Sequence, residues 1–91
     1  MVVIYLTQSC PYCKAARQML AEKGCQWQEI DLGEHPEQHQ EMIQRSGRYS
    51  VPQIWIGERH VGGFDDLTAL NAAGELEALL RAEDADGVRA T

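Results

Sequence analysis

The chain opens with a short apolar run and then changes to a helical pattern of apolar positions. Val2–Leu6 is β-branched or aromatic at nearly every position, which predicts a buried strand. From Pro11 onward apolar residues recur at helical spacing until Gly24, a typical helix-ending residue. The segment 26–32 then shows the period-two pattern of a second strand. A strand, a helix and a strand within about 30 residues predict a βαβ unit with two parallel strands.

The middle of the chain predicts a second helix followed by a β-hairpin. Segment 36–46 is polar with a narrow apolar face, and Gly47 follows it as a helix-ending residue. Two apolar runs at 51–56 and 59–61 are separated by a short turn that contains glycine, which is typical of a β-hairpin. The hairpin and the parallel pair can share one four-stranded mixed sheet with helices on both faces. The predicted fold class is therefore α/β.

Helical patterns return after the hairpin and then fade. A helix opens at Asp65, Gly74 interrupts it, and the leucines within 76–80 extend it by one or two turns. The segment 82–91 has almost no large apolar residue, which predicts a flexible tail. We expect a single domain over residues 1–81.

Composition and charge exclude some classes of partner. The chain has 91 residues, of which 44% are hydrophobic, and a net charge of −6. An acidic balance disfavours nonspecific binding to nucleic acid or anionic membranes, since both need a basic face. The sequence shows no signal segment and no run of about 20 apolar residues that would span a membrane. We expect a cytoplasmic protein with no nucleic-acid or membrane partner, and we expect it to be a monomer.

Two cysteines, Cys10 and Cys13, lie at the predicted start of the first helix. A zinc site is one interpretation, because His35 and His39 follow with ligand-like spacing. However, 21 residues separate Cys13 from His35, against about 12–15 in a zinc finger, so we expect no metal. A structural disulfide is also disfavoured. Such a short loop removes little unfolded-state entropy, and the cytosol keeps thiols reduced.

A reactive pair is the interpretation of these cysteines that has a physical cause. Cys10 precedes the helix, so its sulfur would face the N–H groups of Tyr12 and Cys13 and the positive end of the helix dipole. That environment favours the thiolate, which is the nucleophilic form of cysteine. Cys13 lies one turn on, further from solvent and close enough to form a disulfide with Cys10. A CxxC motif near a βαβ unit in a cytosolic chain is typical of redox proteins.

Three motifs in a fixed order resemble those of one protein family. CPYC at 10–13 follows the first strand, SVP at 50–52 precedes the hairpin, and GGFDDL at 62–67 lies at a helix start. Together they resemble the dithiol, CPYC-type glutaredoxins over about residues 2–81. The resemblance implies the thioredoxin fold, a cis peptide bond before Pro52, and a thiol–disulfide oxidoreductase. It also implies glutathione as co-substrate, with no bound cofactor.

The resemblance further implies roles for individual residues. Cys10 would be the nucleophile and Cys13 the resolving cysteine. The N–H groups of Phe64 and Asp65 would bind the γ-glutamyl carboxylate of glutathione, and the Asp65 carboxylate would bind its ammonium group. Plain acid placement at a helix N-terminus is the alternative for Asp65. The other residues expected at the glutathione site are Tyr12, Arg48, Val51, Pro52 and Gly63.

One position near the cysteines departs from the family pattern. Thr7 stands where glutaredoxins usually carry Lys or Arg, three residues before the first cysteine. Arg48 is the main candidate to supply that positive charge to the glycyl end of glutathione, with Lys14 and Arg45 as further candidates. We expect retained glutathione specificity, with either weaker binding or a less strongly favoured Cys10 thiolate.

The expected reaction is reduction of protein–glutathione mixed disulfides and of protein disulfides. The expected partners are glutathione and proteins that carry such disulfides, with glutathione reductase involved only indirectly through glutathione disulfide. Two alternatives are an electron donor to ribonucleotide reductase and a carrier of an iron–sulfur cluster ligated by Cys10 and glutathione. Pro11 disfavours the carrier, because cluster-binding relatives have a smaller residue there. Cys25 is expected to be a small, partly buried residue rather than a regulatory thiol.

Overall fold

Four strands and four helices form the part of the chain that the computed structural model describes, namely the backbone of residues 1–90 and the side chains of residues 1–83. The strands are β1 (Val2–Leu6), β2 (Gln28–Asp31), β3 (Gln53–Ile56) and β4 (Arg59–Gly62). The helices are α1 (Pro11–Glu22), α2 (Gln38–Ser46), α3 (Phe64–Ala72) and α4 (Leu76–Ala90).

The strands form one mixed sheet in the order β2-β1-β3-β4. β1 pairs in parallel with β2, in a register that places Tyr5 opposite Ile30. β3 pairs antiparallel with both β1 and β4. The parallel pair needs a crossover connection, which α1 provides. The predicted four-stranded mixed sheet of a thioredoxin fold is therefore confirmed.

Two separate cores cover the two faces of the sheet, because successive residues of a strand point to opposite sides. Tyr5 lies in the second core with Leu32, Met42 and Trp55, so α2 covers that face. The first core joins β1 and β3 to α1, α3 and α4, and its buried residues are Val2, Ile4, Leu6, Cys13, Ala16, Leu20, Ile54, Ile56, Leu67, Leu76 and Leu80. The prediction of helices on both faces of the sheet is confirmed.

Three elements begin later than predicted. β2 begins at Gln28 rather than at residue 26, because its pairing with β1 starts only there, opposite Val3. β3 begins at Gln53 rather than at residue 51. Pro52 has no N–H to donate, and the Val51–Pro52 peptide is cis, as the resemblance implied. The first predicted turn of α2 is a separate turn before Gln38.

The last helix is longer than the one or two turns predicted. α4 spans Leu76–Ala90, so its backbone continues through most of the segment 82–91 that was expected to be a tail. Leu76 and Leu80 are buried at helical spacing and anchor its first turns, and Ala82 has high helix propensity. The flexibility of the tail and the domain boundary stay predictions, and Thr91 lies outside the described residues. Within the described chain, no helix has the length and apolarity needed to cross a membrane.

Candidate active site

Cys10 lies at the junction between the β1 loop and α1, where it is the N-cap residue. Its sulfur accepts a hydrogen bond from the backbone N–H of Cys13 at 3.2 Å. The first turn of a helix leaves such N–H groups without intrahelical partners, so a sulfur atom at the N-cap can take one of them. The half-buried Cys10 Sγ is also 3.8 Å from the carbonyl oxygen of Val51. The prediction that this sulfur lies at the start of α1 and faces the Cys13 N–H is therefore confirmed.

Cys13 lies one turn into α1 and is fully buried in the first core. Both cysteines are thiols in the structure. Burial, and then the hydrogen bond with Cys10, raise the pKa of the Cys13 thiol from 9.0 to about 12. The unfolded chain would release this proton near pH 9.0, whereas the folded chain keeps it. The free energy of unfolding therefore falls as the pH rises from 9.0 towards 12.

We expect the two thiols to differ in reactivity towards alkylating agents. Iodoacetamide at pH 8 should modify the half-exposed Cys10, while Cys13 stays unmodified until the protein unfolds, because burial blocks access and ionisation. Peptide mapping by mass spectrometry, with and without denaturant, measures the extent at each site. Modification of native Cys13 as fast as Cys10 would contradict the buried, protonated state described here.

The loop that carries Cys10 is held by side chains from two other elements. Gln8 Nε2 donates to Asp31 Oδ2 at 2.9 Å, and Arg17 Nη2 donates to Gln8 Oε1 at 3.0 Å. The hydrogen bond from Gln8, together with that from the Gly33 N–H, holds the pKa of Asp31 below its usual value. Gln8 thereby joins the cysteine loop to the end of β2 and to α1. Nothing in the one-dimensional pattern predicted this link, because its partners are distant in sequence.

A cleft of about 320 Å³ opens between the N-terminus of α3 and the loop before β3. This volume is at the small end of the range for small-molecule sites. The cleft contains all seven residues predicted for glutathione, together with Ser50 and Asp66, which were not predicted. Its lining residues are Tyr12, Arg48, Ser50, Val51, Pro52, Gly63, Phe64, Asp65 and Asp66.

An aromatic pair forms one side of the cleft. The rings of Tyr12 and Phe64 lie 6.3 Å apart between centroids and are tilted by 36°. Tyr12 is 62% exposed, so its ring packs little against the protein itself. A large aromatic side chain this exposed at a cleft favours contact with a ligand over a purely structural role.

The charged end of the cleft is an Arg48–Asp66 ion pair. Arg48 Nη1 is 2.8 Å from Asp66 Oδ2, which also accepts a hydrogen bond from the Gly63 N–H at 2.9 Å. The Arg48 guanidinium, followed by the Gly63 N–H, holds the pKa of Asp66 below its usual value of 3.8. The neighbouring Asp65 carboxylate is exposed and lines the same cleft.

The other candidate cations differ in position from Arg48. Arg45 donates to the Tyr5 hydroxyl at 3.0 Å, and its guanidinium lies 4.5 Å above the Trp55 ring, on the face of the sheet that α2 covers. Arg45 does not line the cleft. Lys14 is exposed on α1 and does not line the cleft. Thr7 offers its carbonyl oxygen to the Cys10 N–H at 3.4 Å.

The two histidines considered for zinc have other contacts. His39 Nε2 lies 3.1 Å from the Tyr49 carbonyl oxygen, and His35 Nδ1 lies 3.6 Å from a Glu37 carboxylate oxygen. Among the described residues, no three His, Cys, Asp or Glu side chains are grouped as metal ligands. Cys25 is half-buried against the first core, in agreement with its prediction as a partly buried residue.

Comparison with known proteins decides the family. The glutaredoxin family model matches residues 2–61, more than half of the chain. The chain belongs to the glutaredoxin family. It is 56% identical over 81 residues to the glutaredoxin of Pseudomonas aeruginosa, covering 89% of this chain and 96% of that protein. It is 48% identical over 80 residues to glutaredoxin 3 of Escherichia coli, covering 88% and 96% respectively.

A solved glutaredoxin structure is similar to this chain both in fold and in sequence. The solution structure of glutaredoxin from Brucella melitensis matches with a TM-score of 0.77 at 52% identity, covering 87% of this chain and 86% of that one. The resemblance to glutaredoxins is confirmed. The identity to these relatives shows that the chain is a bacterial glutaredoxin 3-like protein. As a glutaredoxin it is a glutathione-dependent thiol–disulfide oxidoreductase, so the prediction of an enzyme is confirmed as well.

Proposed function

We propose that this glutaredoxin removes glutathione from glutathionylated proteins through Cys10. The Cys10 thiolate attacks the glutathione sulfur of the mixed disulfide. The protein leaves as a thiolate that takes up a proton, and the glutathionyl group stays on Cys10. A second glutathione thiolate then attacks that glutathionyl sulfur, which releases glutathione disulfide and regenerates the Cys10 thiolate.

For a protein disulfide, Cys13 resolves the intermediate instead. The Cys10 thiolate attacks one sulfur of the protein disulfide, which forms a mixed disulfide and releases the other sulfur as a thiolate that takes up a proton. The Cys13 thiol then loses its proton, and its sulfur attacks Cys10 Sγ, which closes a Cys10–Cys13 disulfide and releases the second protein thiolate to take up that proton. Two glutathione molecules then reduce that disulfide and become glutathione disulfide. The raised pKa of Cys13 suits a residue that stays protonated until the intermediate forms beside it.

The observation that carries this proposal is the position of the Cys10 sulfur beside the cleft. It lies 3.8 Å from the carbonyl oxygen of Val51, and Val51 lines the cleft. A glutathione whose cysteinyl backbone pairs with Val51 in an extended conformation would bring its own sulfur to Cys10. Val51 would then contact both the bound glutathione and Cys10 Sγ, at which the disulfide exchange takes place.

The residues that line the cleft include partners for both charged ends of glutathione. α3 begins at Phe64, so the N–H groups of Phe64 and Asp65 have no intrahelical partners and can bind the γ-glutamyl carboxylate. The exposed Asp65 carboxylate can then bind the adjacent ammonium group. Gly63 and Pro52 also line the cleft, and Tyr12 on α1 would contact the bound ligand.

Arg48 takes the glycyl carboxylate in this proposal. Its side chain is 49% exposed and already paired with Asp66 through one nitrogen, which leaves further N–H donors of the guanidinium for a ligand. It thereby supplies the positive charge that Thr7 does not. The Asp66 contact holds the long arginine side chain at the cleft, so less of its rotamer freedom is lost on binding.

We expect Arg48→Gln to raise the KM for a glutathionylated peptide by about two- to fivefold with a small change in kcat, because one exposed ion pair with the bound glutathionyl group is lost. Lys14→Gln is the matched control, since it removes the same charge from an exposed position outside the cleft. Steady-state kinetics at two salt concentrations measure both variants. Equal effects of the two substitutions would show that only net charge matters and would contradict the role of Arg48.

The proposed reaction includes a co-substrate, a compartment and an oligomeric state. Glutathione is the co-substrate, and no bound cofactor is required for the exchange. Glutathione reductase would act only on the released glutathione disulfide and would not need to contact this protein. We place the reaction in the cytoplasm, where the glutathione pool is reducing, and propose that a monomer carries it out.

The function is tested by a coupled assay with a glutathionylated peptide. Glutathione, glutathione reductase and NADPH are supplied, and NADPH oxidation is followed with and without the protein. We expect catalytic turnover with release of the free peptide thiol. Absence of turnover above the uncatalysed rate, with correctly folded protein, would overturn the proposal.

A further inference from the structure

Gln53 is a fully buried polar side chain next in sequence to the cleft residues Val51 and Pro52. It is 0% exposed and is the first residue of β3, directly after the cis Val51–Pro52 peptide. Its Nε2 lies 3.0 Å from the carbonyl oxygen of Ser50, and its Oε1 lies 2.7 Å from Nε2 of His60 on β4. A buried amide is costly unless its groups are hydrogen-bonded, so both contacts matter to the fold.

The direction of both hydrogen bonds follows from the chemistry of the groups. The Ser50 carbonyl oxygen can only accept, so the Gln53 amide nitrogen must point towards it and donate. The Gln53 oxygen therefore faces His60 and accepts, which requires a proton on His60 Nε2. His60 is thus fixed as a donor in a directed series from His60 through Gln53 to Ser50.

The imidazole of His60 is itself held in place. Its ring lies 4.6 Å from the Trp55 ring between centroids, at an interplanar angle of 33°. Burial, followed by the charge of Arg48, lowers the pKa of His60 below 6.5, so the ring is neutral at neutral pH. A neutral imidazole has a single N–H, and this one gives it to Gln53.

The hydrogen-bonded series begins at His60 and ends at Ser50. Ser50 lines the cleft, whereas His60 and Gln53 do not. Ser50 immediately precedes Val51, whose carbonyl oxygen lies beside the Cys10 sulfur. Holding the Ser50 carbonyl inward fixes the direction of the next peptide unit, because the Ser50 carbonyl and the Val51 N–H belong to the same planar group. The Val51 N–H then points away from the buried amide.

We infer that His60 and Gln53 are positioning residues that hold the Ser50–Val51 backbone ready for the glutathionyl group. This inference rests on the proposed function, because it concerns the backbone to which that function assigns the cysteinyl part of glutathione. Preorganising a loop lowers the ordering cost of binding and leaves the chemical step unchanged. The expected signature is therefore a change in KM without a matching change in kcat.

Three substitutions of His60 separate this role from simple packing. His60→Phe keeps an aromatic ring on Trp55 and removes the donor to Gln53. His60→Gln restores an amide donor about as far from the backbone as imidazole Nε2, whereas His60→Asn places its donor too close to the backbone to reach. We expect His60→Phe and His60→Asn to raise the KM for a glutathionylated peptide about three- to tenfold, with kcat nearly unchanged and recovery in His60→Gln.

Hydrogen exchange gives a second readout that needs no turnover. The backbone amides of residues 49–51 and of Gln53 should exchange faster in His60→Phe and His60→Asn than in the wild type, and recover in His60→Gln. Unchanged KM and exchange in His60→Phe would overturn the inference and leave the proposed function intact. If His60→Phe does not fold, the comparison of His60→Gln with His60→Asn decides in the same way. An inactive wild type would overturn the proposed function, and the exchange data would still decide whether His60 holds the loop.

Discussion

Replacing Cys10 by serine is expected to reduce turnover of a glutathionylated peptide by on the order of 10³-fold or more, to the background rate. A serine hydroxyl is almost entirely protonated at neutral pH and cannot replace a thiolate as nucleophile. Cys13 cannot take over, because it is fully buried and this burial raises the pKa of its thiol. The coupled assay with glutathione reductase measures this loss.

Two further cysteine substitutions serve as controls for that experiment. Cys13→Ser should keep turnover of the glutathionylated peptide and lose the reduction of protein disulfides, because only the second reaction needs a resolving thiol. Cys25→Ser should keep both activities, since Cys25 packs against the first core, and it is not among the residues that line the cleft. Wild-type activity in Cys10→Ser would contradict the assignment of the nucleophile.

Replacing Gly62 by alanine is expected to damage both stability and glutathione binding. Gly62 has a φ of 116°, which disfavours any residue with a Cβ. An added Cβ would overlap the Asp66 carboxylate and lie 3.1 Å from Arg48 Nη1. Backbone strain alone costs about 1–3 kcal/mol, and the displaced ion pair adds to it. Thermal unfolding and the KM for a glutathionylated peptide measure the two effects.

Gly74→Ala is the matched control for Gly62→Ala. Gly74 also has a positive φ, of 76°, but an added Cβ meets no atom within 4 Å. We expect a loss of about 1–2 kcal/mol from backbone strain, with the KM for a glutathionylated peptide unchanged. An unchanged KM in Gly62→Ala, alongside a similar loss of stability in both variants, would show that the Arg48–Asp66 pair does not shape the cleft.

Much of the fold was predictable because each element carries a local pattern. The apolar run Val2–Leu6, the helical spacing after Pro11 and the hairpin around Gly57 all proved correct as elements. The boundaries were less predictable, since β2 begins only where β1 offers a partner. The length of α4 was also missed, because the absence of large apolar residues in 82–91 does not prevent a helix that Leu76 and Leu80 have already anchored from continuing.

The site was predictable where it is built from short motifs and not where it depends on pairing across the fold. CPYC, SVP and GGFDD supplied the residues that meet around Cys10 and the cleft. The Arg48–Asp66 pair and the Gln8 links join residues far apart in sequence, so no spacing rule indicates them. The sequence does show Gln53 as a polar residue within an otherwise apolar strand. The register of the hairpin determines that His60 is its partner.

The most direct test of the account is the intact mass of Cys13→Ser after incubation with glutathione disulfide. Without its resolving cysteine, the protein should be trapped as a mixed disulfide that carries one glutathionyl group. Peptide mapping should place that group on Cys10, and added glutathione should remove it as glutathione disulfide. A protein that remains unmodified, or that carries the glutathionyl group on Cys25 instead, would contradict the claim that Cys10 is the site of exchange.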